Sequence, residues 1–120
     1  MVTRKQLEEY RSAVREVSEL RARMRQAELS AMESAREEDR DRARSAAARY
    51  DAIADVREME LMRIIAEVDA LGDVDQRRAI TLRYIDGLSR TATAMRMERS
   101  PDMIDKYVAA GIRELEKEQA

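Results

Sequence analysis

From Met1 to Leu71 the chain contains neither glycine nor proline. Those two residues are the strongest local punctuators of a backbone. The stretch is instead rich in Ala, Glu, Arg and Leu, which favour helix. An uninterrupted run of this length and composition predicts long helix and argues against strand.

Apolar spacing divides the run in two. Leu7, Tyr10, Val14, Val17, Leu20, Met24, Ala27 and Ala31 follow one another at steps of three and four, the seam of an amphipathic helix. A second seam, over residues 42 to 71, carries Tyr50, Ile53, Leu61, Ile64, Val68 and Leu71. Val56, Met59, Met62 and Ile65 flank it. Between the seams lies a charged stretch from Glu33 to Ser45 with no large apolar residue. Glu37, Glu38, Asp39 and Asp41 are interleaved with arginines and lack the glycine-turned spacing of a calcium loop. They therefore predict a solvated turn, placed between residues 34 and 45, and not a metal site. Two helices of about 30 residues would each span roughly 45 Å. Equal lengths about a charged midpoint predict an antiparallel hairpin over residues 1–72. Its seams carry more apolar surface than one thin hairpin buries, which predicts packing on a second copy, as a homodimer, or on the C-terminal part.

Beyond Leu71-Gly72-Asp73, a helix stop followed by an acidic start, the texture changes. Three shorter helices are expected, at 75–85, 90–97 and 101 to about 117. Asp86-Gly87 offers a C-terminal glycine cap to the first, and Ser89 is an N-cap for the second. Ser100-Pro101 joins a capping serine to a proline at the first helical position, where its fixed φ and missing N–H are tolerated. A short helix, a tight turn and a longer helix make the helix-turn-helix pattern. The expected fold is all-α: a long antiparallel hairpin, then a three-helix helix-turn-helix domain over 73–120.

Composition excludes much else. The chain has no Cys and no His, so a thiol nucleophile, an imidazole base and the usual zinc and iron–sulfur ligand sets are absent. No phosphate loop or nucleophile–base pair is present, which argues against an enzyme and implies no cofactor. No apolar run is long enough to span a membrane. Residues Met1 to Tyr10 lack an apolar core and include Glu8 and Glu9, unlike a signal peptide, so a cytoplasmic location is expected.

The stretch Leu82-Arg83-Tyr84-Ile85-Asp86-Gly87-Leu88-Ser89, followed by Ser100, Ile104 and Gly111-Ile112-Arg113-Glu114-Leu115, resembles the fourth region of bacterial sigma factors. It is more similar still to small sigma-like phage transcriptional regulators of the ArpU and RinA types, which also place long helices before this domain. The resemblance implies a regulator that reads double-stranded DNA, with the hairpin dimerising or contacting RNA polymerase. The chain departs from the family pattern at Thr93, where Ile is usual, at Glu98, where Gly is common, and at Gly111, where Ala is usual. Thr93 is expected to weaken packing, and Gly111 to cost about 1 kcal/mol in mid-helix.

Ile104, Val108, Ile112 and Leu115 would form the buried face of the last helix. Asp102, Asp105, Lys106, Ala109 and Arg113 lie opposite and would face the major groove. Arg90, Arg96 and Arg99 are the expected phosphate contacts, Lys106 and Arg113 the phosphate or guanine contacts; Asp102 and Asp105 would repel phosphate unless each meets a cytosine amino group. Residues 73–100 carry six basic and four acidic side chains, whereas residues 101–120 carry three basic and five acidic. This is a modest basic footprint for a DNA reader. It leaves open a helical interaction protein that keeps the domain shape without binding DNA, and a terminase-like packaging subunit.

Overall fold

The computed structural model describes residues 2–117. Every regular element among them is helical: α1 Arg4–Glu33, α2 Glu37–Asp69, α3 Val74–Ile80, a π-helical turn Thr81–Ile85, α4 Arg90–Met97 and α5 Pro101–Lys117. The chain is all-α, with a long antiparallel hairpin ahead of three shorter helices. Two compact units make it up: Ser12–Leu61, and residues up to Arg11 together with Met62 onward.

The Ser12–Leu61 unit is the hairpin. Its turn occupies only residues 34–36, so the expected turn region of 34 to 45 shortens at its C-terminal side. Glu37, Glu38 and Asp39 lie in the first turn of α2, where carboxylates favour the positive end of the helix dipole. That stabilisation explains why a stretch with no large apolar residue is helix instead of loop. Arg21 sets the antiparallel register. It donates to Asp51 Oδ1 at 2.7 Å, Asp55 Oδ1 at 2.9 Å and Glu58 Oε2 at 2.6 Å. Hydrogen bonds to Asp55 and Glu58 hold the Arg21 guanidinium above its ordinary pKa. The seam of α2 passes through Ala47, Ala54 and Leu61, all buried. This corrects the expected seam at Ile53, which is 47% exposed. Counting back from Leu61 in sevens reaches Ala54 and Ala47, so register prevails over side-chain size. Val14, placed on the α1 seam, is likewise exposed.

In the other unit, α1 begins with a capping box. The Thr3 hydroxyl accepts from the Gln6 N–H at 3.2 Å, and Gln6 Oε1 accepts from the Thr3 N–H at 2.9 Å. Val2 and Leu7, at the positions of a hydrophobic staple, are both buried. The expected single helix over 75–85 is an α-helix that widens into the π turn. Asp86 N–H donates to the Thr81 carbonyl and Leu88 N–H to the Leu82 carbonyl, each at 2.9 Å. Gly87 ends this turn at φ 76°, the left-handed conformation that glycine adopts without steric cost. Arginines satisfy the remaining carbonyls: Arg83 Nη1 donates to Leu88 O at 2.9 Å and Arg11 Nη1 to Ile85 O at 3.3 Å.

The core of this unit is formed by Ile64, Val68, Ile80 and Leu82 with Ile104, Val108, Ile112 and Leu115 of α5, all buried. Gly111 stands where α5 approaches α3. A Cβ there would meet Ile80 Cδ1 at 2.5 Å and Gln76 Cβ at 3.3 Å. The propensity lost at this glycine is therefore offset by close helix packing. Thr93 is fully buried, and its hydroxyl donates to the Ser89 carbonyl at 2.9 Å. A buried hydroxyl so satisfied avoids the penalty of an unpaired one.

Glu98 ends α4 at φ 56° and ψ 44°, left-handed backbone that strains any residue with a Cβ. Glu98→Gly should raise stability by about 1 kcal/mol. A higher urea midpoint with an unchanged slope will show it; an unchanged or lower midpoint contradicts the strain argument.

Candidate functional site

The three turns that orient α4 and α5 are built from local side-chain chemistry. Asp73 caps α3 by accepting from the Gln76 N–H at 2.9 Å. The Ser89 hydroxyl accepts from the Ala92 N–H at 3.0 Å, and the Ser100 hydroxyl from the Met103 N–H at 3.2 Å. Each satisfies an N–H that a helix start leaves without an intrahelical partner. The Glu98 and Arg99 N–H groups close the end of α4 onto the Met95 and Ala94 carbonyls. Residues 98–100 are thus a tight turn, and α4 and α5 stand as the two arms of a helix-turn-helix.

All seven candidate side chains, Arg90, Arg96, Arg99, Asp102, Asp105, Lys106 and Arg113, are exposed. Asp102, Lys106 and Arg113 share one side of α5 by helical spacing, with Asp105 at its edge. The buried face, Ile104, Val108, Ile112 and Leu115, lies opposite as expected. What the sequence does not reveal is how the charges pair. Arg90, at the first position of α4, reaches across to α5. Its Nε donates to Asp105 Oδ1 and Oδ2 at 3.0 and 2.9 Å, and its Nη2 donates to Asp102 Oδ1 at 2.9 Å. Those hydrogen bonds, that to Asp105 foremost, hold the Arg90 guanidinium above its ordinary pKa.

At the other end of α4 the cations are less encumbered. Arg99 is raised in pKa chiefly by a hydrogen bond to Tyr107, with the Asp75 charge adding to it. Arg78, absent from the expected set, donates to the Arg96 carbonyl at 3.4 Å. It therefore places a further guanidinium beside the end of α4. Arg83 lies 5.9 Å from the centre of the Tyr84 ring, a stacking distance, so Tyr84 is held within the fold's own contacts. Among the described residues no group of three or more acidic side chains is arranged to hold a metal ion, and no helix is long and apolar enough to cross a membrane.

Comparison with protein-family models, curated proteins and solved structures finds no significant match to this chain.

Removing the α5 cap by Ser100→Ala should lower stability by about 1 kcal/mol. Thermal or urea denaturation reads this directly. An unchanged midpoint would mean that Pro101 alone sets the helix start.

Proposed function

We propose that this chain is a helix-turn-helix DNA-binding regulator of the sigma-like phage kind, with α5 as the element that enters the major groove. The observation that carries this reading is the free side of α5. It presents Lys106 and Arg113 in line, one turn and three turns into the helix, while Arg96 in the last turn of α4 and Arg99 in the turn that follows are exposed as well. Cations on two elements flanking a tight turn suit one duplex: the α4 end and the turn for phosphate, α5 for base edges. Affinity would come from phosphate neutralisation and fall steeply with salt.

Electrophoretic shift of a random duplex at low salt is the direct test. Arg96→Ala or Arg99→Ala should weaken all sequences alike and reduce the salt slope by about 1. Lys106→Ala should alter sequence preference. No shift by the full chain, even at low salt, would overturn the reading in favour of a helical interaction protein.

The hairpin is proposed to join two copies. One face of α2 is apolar toward α1, through Ala47, Ala54 and Leu61. The opposite face carries Ala48, Ala52, Val56 and Met59, at steps of four, four and three, and these are exposed. Val56 and Met59 are 59% and 69% exposed. A helix apolar on two opposite sides is the pattern of a helix covered on both. Small residues at 48 and 52 permit close helix approach, and Met59 adapts to an uneven partner surface. A second copy would bring two α5 helices to one DNA molecule and raise the effective affinity of a weak single contact. RNA polymerase is the further partner that this reading implies. The native chain should sediment as a dimer at tens of micromolar, and Val56→Glu should return it to monomer with its helical content intact. A native chain that sediments as a monomer contradicts the dimer.

A further inference from the structure

The contact between Arg90 and the two aspartates of α5 joins the two arms of the helix-turn-helix. Pairs such as Lys5 with Glu9 or Lys117 with Glu114 lie within one helix. Arg90 is twelve and fifteen residues from its partners. The side chains of Asp102 and Asp105 remain 89% and 57% exposed, while that of Arg90 is 44% exposed. The acids therefore stand on the outer surface with the guanidinium drawn against them.

We infer that Asp102 and Asp105 act as a built-in substitute for nucleic-acid phosphate, holding Arg90 out of service and lowering the affinity of this surface for any duplex. The inference rests on the DNA-binding reading above and deepens it. The physical argument is one of exchange. A guanidinium presents a planar fork of donors that fits carboxylate and phosphate oxygens alike. Here the fork already meets three carboxylate oxygens at 2.9–3.0 Å. Moving it to a DNA phosphate replaces two carboxylates by one phosphodiester charge. It also leaves two unpaired carboxylates beside the polyanion, on the side of α5 that carries Lys106. Both effects oppose binding, and both vanish when the carboxylates become amides of the same shape.

The test uses the full chain carrying Asp102→Asn and Asp105→Asn together, with thermal unfolding to verify the fold. Binding to a random duplex is measured across a salt series. The double variant should bind more tightly than the native chain by on the order of tenfold at low salt, with a slope against log salt steeper by about 1, as follows when Arg90 neutralises one more phosphate. Arg90→Ala should leave the native chain's slope against log salt unchanged, because a committed guanidinium contributes little counterion release, while weakening binding a few-fold because Asp102 and Asp105 are left unpaired beside the duplex. In the double-variant background the same change should restore the native slope. Equal affinity of native and double variant overturns the inference while leaving DNA binding intact. So does tighter binding that Arg90→Ala does not reverse, since simple charge repulsion would then suffice. Failure of both native chain and variant to bind duplex overturns the DNA-binding reading itself. Should the double variant not fold, Asp105→Asn alone, which removes the two-oxygen contact to Nε, carries the same comparison.

Discussion

The approach of α5 to α3 at Gly111 decides which surface this protein shows. Ile80 Cδ1 fills the space that a side chain at residue 111 would take. With that spacing, Ile104, Val108, Ile112 and Leu115 turn inward, and Asp102, Lys106 and Arg113 face out by the same helical geometry. Interiors packed to crystal-like density tolerate little added volume. A side chain at 111 would therefore force Ile80 Cδ1 to move aside and α5 to ease away from Gln76 by a few tenths of an ångström. The intrinsic cost of a mid-helix glycine is real, but close packing outweighs it here.

The hairpin rests on a different balance. Its inward seam on α2 is largely alanine, which buries little area per residue. Register is instead held by directional contacts: Arg21 on three carboxylates of α2, and Arg57 within 3.6 Å of Glu16. Exposed ion pairs are individually weak, so these specify alignment more than they stabilise it. The larger apolar side chains Val56 and Met59 are exposed instead, and the proposed dimer rests on that face.

Much of the fold was legible because its cues are local. The caps at Ser89 and Ser100, the glycine at 87 and the proline at 101 act through bonds spanning a few residues, so α4 and α5 begin and end where the sequence places them. The all-α class followed from seventy-one residues without glycine or proline. Thr3 and Gln6 carry the capping-box spacing, a readable cue at the start of α1. Other features depend on geometry that spacing does not encode. The widening into a π turn at Thr81 has no breaker to announce it. Ile53 looked like a seam residue by its size, whereas the seven-residue count from Leu61 selects Ala54. In the candidate site, the charged residues of α4, its turn and α5 were visible and the exposure of those on α5 followed from periodicity, whereas Arg78, which reaches the Arg96 carbonyl from α3, was not. The engagement of Arg90 by Asp102 and Asp105 was not visible, because it depends on how two helices cross.

Electrostatics links these levels. On the α4–α5 surface exposed cations alternate with carboxylates, two of which engage Arg90, and for the DNA-binding function proposed above their placement matters more than their sum. The proposal that duplex DNA meets this surface through α5 is open to amide chemical-shift mapping of the full chain on addition of a short duplex. Shifts should concentrate at Arg96, Arg99, Lys106 and Arg113, with the amides of Ala48 to Met59 unaffected. Saturable shifts confined to α2, or none at all at low salt, would contradict it.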